Sequence, residues 1–110
     1  MNSSVAVVIL NWNGKKFLDN FLPSVIKNSG NAEVIVADNA STDDSVAFLQ
    51  DNFPGVRIIR NSSNLGFAGG YNEALVQVKS DFYVLLNSDI EVTPGWIAPV
   101  ITLMESDPAI

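Results

Sequence analysis

Three short clusters in this sequence carry residue types suited to an oxygen-rich ligand. They are Asn11-Trp12-Asn13-Gly14, Asp38-Asn39-Ala40-Ser41 and Asn87-Ser88-Asp89-Ile90-Glu91. Any one of them also reads as a turn or a helix cap, because Asn, Asp and Ser side chains bond readily to nearby backbone. All three directly follow an apolar run, and that shared position points to a common ligand. The chain has no His and no Cys, which excludes Ser-His-Asp triads, thiol catalysis, His metal sites and zinc–thiolate sites. Six Lys plus Arg against twelve Asp plus Glu give a net charge of −6, with no basic footprint for nucleic acid. The remaining chemistry runs on carboxylates, amides, hydroxyls and backbone groups, with Asp89 as a candidate ligand for a hard metal ion.

Missing motifs narrow this further. No Gly-x-x-x-x-Gly-Lys-Ser/Thr loop occurs, and no Gly-x-Gly-x-x-Gly follows the first apolar run. A P-loop NTPase and a dinucleotide oxidoreductase are therefore disfavoured. An aspartyl phosphotransferase would need its nucleophile where Asn11 and Asn13 stand, and amides cannot do that work.

The elements that must position these clusters alternate in period. Val5–Leu10, Glu33–Ala37, Val56–Arg60 and Phe82–Leu86 are short, β-branched or aromatic runs and read as strands. Between them, Phe17, Phe21, Leu22, Val25 and Ile26 recur at helical spacing, as do Val46, Phe48 and Leu49, and then Ala74, Leu75 and Val78. Ser41 and Thr42 read as caps of the second helix, with Asp43 and Asp44 in its positive first turn. Pro94-Gly95-Trp96 opens a last helix through Met104. The class is α/β: an open, mostly parallel sheet with helices on both faces. In such sheets ligands bind outside the carboxyl ends of the strands, which is where the three clusters lie. The 110 residues support one core, no run approaches the roughly 18 apolar residues of a membrane span, and the lack of Cys suits a cytosolic setting.

Four blocks in order carry a family resemblance: Val8-Ile9-Leu10-Asn11-Trp12-Asn13, Val36 to Asp43, Asn64-Leu65-Gly66-Phe67-Ala68-Gly69-Gly70-Tyr71-Asn72, and Leu85-Leu86-Asn87-Ser88-Asp89. Together they resemble the N-terminal nucleotide-sugar-binding portion of a family 2 glycosyltransferase, in its rhamnosyltransferase-like branch. The resemblance implies a GT-A fold with strand order three-two-one-four. It further implies a nucleotide-diphosphate sugar donor (UDP- or dTDP-linked), Mn2+ or Mg2+, and transfer with inversion to a saccharide or lipid-linked acceptor. Such an enzyme would work in the cytoplasm at the inner face of the membrane, in cell-surface polysaccharide synthesis.

Carried over by position, Asp38 matches the acid that contacts the base or ribose, and Asn11 and Asn13 line the same pocket. Gly66 and Asn72 border the donor. Asp89 matches the last acid of the Asp-x-Asp metal motif, whose first position is here Asn87. The motif therefore brings one carboxylate rather than two, and Asn87 remains a donor-binding residue whose amide can hydrogen-bond ribose or a bound water. The family's general base lies beyond this motif, so residues 1–110 would form an incomplete domain that holds the donor and contains no catalytic base. The fourth strand would then present an apolar edge through which a homodimer could pair.

Other readings stand beside these. Asp38 could cap the helix that follows, Gly69 and Gly70 could serve close packing alone, and Trp12 and Trp96 could be packing residues. Glu91 reads as a solvent-facing residue or as a group on the acceptor side. A sugar nucleotidyltransferase and a non-catalytic binding module are the alternative functions. Lys15-Lys16 after a single Gly14 is a poor version of the basic Gly-rich loop the former would need.

Overall fold

A computed structural model describes residues 4–88 and 95–97. Strand and helix alternate as β1 (Val5–Asn11), α1 (Lys15–Asn28), β2 (Glu33–Asp38), α2 (Ser45–Asn52), β3 (Arg57–Arg60), α3 (Gly66–Leu75) and β4 (Phe82–Asn87). The four strands form one parallel sheet in the order β3-β2-β1-β4. That is the order implied by the resemblance.

β1 is central, and its continuous apolar run is explained by burial on both faces. Val5, Val7 and Ile9 join Leu18, Leu22 and Val25 of α1, Leu49 of α2 and Leu86 of β4 in one core. Ala6 and Val8 face the other way, with Ile35, Ala37, Ile59 and the α3 residues Tyr71 and Ala74. Helices α1 and α2 thus cover one face and α3 the other. The register sets Asn11 beside Asp38, Asp38 beside Arg60, and Leu10 beside Asn87. Strand ends that differ widely in sequence are thereby aligned along one rim.

Some local expectations are corrected. α1 buries Leu18, Leu22 and Val25, while Phe17 and Ile26 are exposed. Both stripes have helical spacing, and the sheet selects the one centred on Leu22. α2 begins at Ser45, and neither Ser41 nor Thr42 caps it, because their side chains are engaged in a loop described below. α1 ends where Gly30 takes a φ of +58°, a left-handed conformation that glycine adopts without steric penalty. Trp96 does pack, against the α1 and α2 core, and its Nε1 donates to Ser29 Oγ. On β4, Tyr83 and Leu85 are exposed. Asp89, Glu91 and the body of the expected last helix lie outside the described residues. Among the described residues no helix is long and apolar enough to cross a membrane.

Tyr71 ties α3 to the rim end of β4, its phenol donating to the Leu86 carbonyl at 2.9 Å. Burial raises the pKa of this phenol above its ordinary value, since the anion would lose its water. Tyr71→Phe is expected to lower stability by about 1 kcal/mol at pH 7, the usual worth of one such bond. Between wild type and variant, the gap should narrow as pH rises past about 10. There the unfolded chain releases its phenol proton before the folded one does, so wild type loses stability that the variant never had. Urea unfolding at pH 7 and above pH 10 measures both effects.

Candidate functional site at the sheet rim

Asp38 is the last residue of β2 and only 2% exposed. Burying a carboxylate is unfavourable unless donors replace its water, and here they do. Its Oδ1 accepts from Asn11 Nδ2 at 3.0 Å and from Ser41 Oγ at 2.7 Å, and its Oδ2 accepts from the Ser41 amide at 2.9 Å. Ser41 Oγ in turn accepts from the Asn13 amide at 2.9 Å. Asn13 completes the tie, its Oδ1 accepting from the amides of Thr42 and Asp43. The loops after β1 and β2 are therefore one hydrogen-bonded unit. Two of its non-glycine residues, Asn13 and Ala40, have positive φ, of 51° and 62°. Such strain persists only where the surroundings over-determine it.

A second network joins this unit to α3. Asn39, also 2% exposed, donates from Nδ2 to Asn64 Oδ1 at 2.9 Å and to the Gly66 carbonyl at 3.1 Å. Its Oδ1 accepts from Asn61 Nδ2 at 3.1 Å and from the Leu65 amide at 3.4 Å. Asn61 follows β3 directly and also donates to the Gly70 carbonyl at 3.0 Å. Gly70 is required here: a Cβ would come within 2.8 Å of Leu10 Cδ1 and 3.0 Å of both polar atoms of the Asn39 amide.

Above these networks lies a cavity of about 400 Å³ at the carboxyl ends of β1 and β4. Leu10, Trp12, Phe17 and Phe67 give it apolar walls, and Asn39, Asn64, Gly66, Asn87 and Ser88 supply amides, backbone and a hydroxyl. Trp12 and Phe67 are 53% and 63% exposed, so Trp12 is a cavity wall rather than a packing residue. Phe67 stands edge-on to Tyr71, with ring centroids 5.0 Å apart. Another cavity, of about 430 Å³, lies at the opposite end of the sheet among Ile26, Val34, Phe53 and Val56.

Of the residues singled out from sequence, Gly66 and Asn87 line the rim cavity. Asn11 and Asp38 lie buried beside it and do not line it. Asn13 borders a neighbouring hollow with Lys15, Lys16, Asp19 and Asp43. Asn72 is exposed on α3 and does not line the cavity. Trp12, Phe17, Asn39, Asn64 and Phe67 were not singled out as site residues, and neither was Asn61. Asn61 had a readable signal, as the polar residue directly after the third strand. An exposed aromatic wall has none, since pattern alone assigns aromatics to cores.

Charge near the rim is mixed. Lys15 Nζ sits 2.8 Å from Asp44 Oδ2 and 5.6 Å from the centroid of the Phe48 ring. The hydrogen bond between them holds the lysine above and the aspartate below their ordinary pKa values. Arg60 ends β3 exposed. Among the described residues no three acidic groups cluster, and no carboxylate lines the rim cavity.

Comparison with known proteins now decides the family. The description Glycosyl transferase family 2 matches the chain across residues 6–110. The chain belongs to glycosyltransferase family 2. It is 33% identical over 107 residues to the uncharacterized Bacillus subtilis glycosyltransferase YfnE, covering 93% of this chain and 27% of that protein. It is 26% identical over 109 residues to the N-acetylglucosaminyl-diphospho-decaprenol L-rhamnosyltransferase of Mycobacterium tuberculosis, covering 88% of this chain and 36% of that one. The chain spans about a third of the length of the curated relatives it matches. In fold, it superposes on the mannosyltransferase PcManGT from Pyrobaculum calidifontis, in complex with GDP-Man and Mn2+, with a TM-score of 0.83. That match has 19% identity and covers 100% of this chain and 34% of the other. Staphylococcus aureus TarS 1-349, in complex with UDP-GlcNAc, gives a TM-score of 0.79 at 20% identity, over 94% of this chain and 31% of that one. The family 2 chain therefore has the GT-A architecture expected from its sequence.

The packing of this family 2 rim is testable at Gly70, with Gly55 at the opposite end of the sheet as the comparison. Gly70→Ala is expected to destabilise by about 1–3 kcal/mol, because the new methyl must displace Leu10 or the Asn39 amide. Gly55→Ala meets nothing within 4 Å and should be neutral or stabilising by about 0.4–1 kcal/mol. Chemical denaturation of both variants checks the contrast.

Proposed function

We propose that this chain is the donor-binding portion of an inverting glycosyltransferase that uses a nucleotide-diphosphate sugar and a divalent metal ion. The observation that carries the reading is the rim cavity itself. It pairs aromatic walls with amide and hydroxyl groups at the carboxyl ends of parallel strands, where such sheets bind ligands. A nucleoside offers an apolar face to the aromatic side chains and polar edges to Asn39, Asn64 and Asn87. Two relatives in fold, PcManGT and TarS, are described in complex with GDP-Man and UDP-GlcNAc respectively, which favours a nucleotide sugar over other ligands of that shape. Family membership favours sugar transfer over synthesis of the sugar nucleotide.

The donor set at the end of β4 suits a hard cation. Asn87 and Ser88 offer oxygens at the cavity, and Asp89 follows them in sequence. Asp38 is turned inward on its own donors and is not available to an ion. By its place in the family motif, Asp89 is the carboxylate that would hold Mn2+ or Mg2+. When bound, the ion neutralises charge on the diphosphate leaving group. This chain's own residues bind and orient: the aromatic walls exclude water from the nucleoside, and the Asp38 and Asn39 networks hold the loops that surround it. Because the chain spans about a third of the length of its curated relatives, the base for the acceptor hydroxyl is assigned, as part of this proposal, to the portion those relatives have in addition.

Calorimetric titration of UDP, dTDP and GDP, each with and without Mn2+, tests the reading. One nucleotide is expected to bind more tightly with the metal. Asp89→Asn should lose the metal-dependent part, about tenfold or more. Asp38→Ala, which releases the loop between Asn39 and Asp43, should weaken binding with or without metal. Equal affinity in wild type and both folded variants would overturn the site assignment.

A further inference from the structure

We propose that Asn61 is a positioning residue for donor recognition: it fixes the Asn39 amide and, through it, the Asn64–Gly66 wall of the rim cavity. The proposal rests on the donor reading above and deepens it by naming what sets the shape of that site.

The argument is one of hydrogen-bond capacity. A side-chain amide can donate twice and accept twice. Asn39 uses all of this capacity on protein partners, with Nδ2 directed to Asn64 Oδ1 and the Gly66 carbonyl. Its Oδ1 receives Asn61 Nδ2 and the Leu65 amide. The Asn39 ring of partners is self-consistent only with Nδ2 toward the cavity wall. Turned over, it would set its oxygen against two acceptors, Asn64 Oδ1 and the Gly66 carbonyl.

Asn61 holds this orientation from the β3 side, together with the Leu65 amide and the Gly66 carbonyl. It is 5% exposed, does not line the cavity, and spends both donors inward, on Asn39 Oδ1 and on the Gly70 carbonyl. Among the described residues its own Oδ1 is buried without a hydrogen-bond partner. A buried acceptor left unmade is unfavourable, so local packing alone gives no reason for an amide here. The two donated bonds give one, because they reach both Asn39 and the close-packed turn of α3 at Gly70. Gly66, with a φ of +74°, and Phe67 then enter the cavity wall from the first turn of that helix.

A double-mutant cycle on nucleotide affinity separates positioning from general structure. With Mn2+ present, Asn61→Ala is expected to weaken the nucleoside diphosphate that wild type binds by about tenfold, as is Asn39→Ala. The double variant should be no weaker than Asn39→Ala alone, because Asn61 acts through Asn39. Hydrogen exchange gives a readout independent of ligand. The Leu65 amide, whose acceptor is Asn39 Oδ1, should exchange faster in Asn61→Ala while the β1 amides remain protected. If Asn61→Ala does not fold, Asn61→Ser, which keeps one donor, takes its place in the cycle. Unchanged affinity, additive losses, or unchanged Leu65 exchange would each overturn the proposal. If wild type binds none of UDP, dTDP and GDP, the donor reading fails and this role fails with it. Binding by wild type with an unaffected Asn61 variant removes the positioning role alone.

Discussion

The carboxylate of Asp38 is withdrawn from water at the end of a central strand, and among the described residues no cation is paired with it. Its charge is met instead by the Asn11 amide group and by both the backbone and hydroxyl donors of Ser41. This arrangement exists because parallel pairing sets Asn11 and Asp38 side by side at the same height. A buried charge held only by oriented dipoles demands that those dipoles stay in place. The loops after β1 and β2 are accordingly fastened to each other, and they keep two residues in left-handed backbone conformations costing on the order of 1–3 kcal/mol each.

From this anchor the rest of the rim follows by short links. The Asn39 amide N–H donates to the Asn11 carbonyl, which extends the β1–β2 ladder by one bond and brings the Asn39 side chain to the first turn of α3. Tyr71 connects α3 to β4 from the other side. The α3 side of the cavity is thus tied to the sheet by buried polar groups, while α1 is held by its apolar packing. Its apolar surface comes from side chains that remain exposed. A rigid polar floor with accessible aromatic walls is the combination a nucleoside needs, with affinity from the ring faces and selectivity from the amides. Membership of glycosyltransferase family 2 gives that arrangement its chemical context.

Much of this was legible before the structure. Four β-branched runs separated by helical periods specify an α/β sheet, and polar clusters placed just after those runs mark the rim that carries the cavity. Boundaries and roles were less legible where one side chain had two uses. Ser41 and Thr42 have the chemistry of helix caps, yet Asp38 and Asn13 outcompete the helix for them, and α2 starts at Ser45. Phe17 fits a helical stripe as well as Leu18 does, and only the position of the sheet decides which is buried. Asp38 was legible as a strand-end carboxylate, but its inward orientation depends on partners in β1 and in the loop after β2 that periodicity does not bring together. The positions of Asn39 and Asn61 directly after strands are readable, but their contact with each other spans 22 residues of sequence and no local pattern encodes it.

The central claim is that the rim at the carboxyl ends of β1, β2 and β4 receives a nucleoside diphosphate. Mapping amide chemical shifts in the labelled chain during titration with UDP, dTDP or GDP in the presence of Mg2+ tests it most directly. The account predicts that the largest shifts cluster at Leu10–Asn13, Asp38–Ser41, Asn64–Phe67 and Asn87–Ser88. Shifts centred on the opposite cavity, at Ile26, Val34, Phe53 and Val56, or no shifts with any of the three nucleotides, would contradict it.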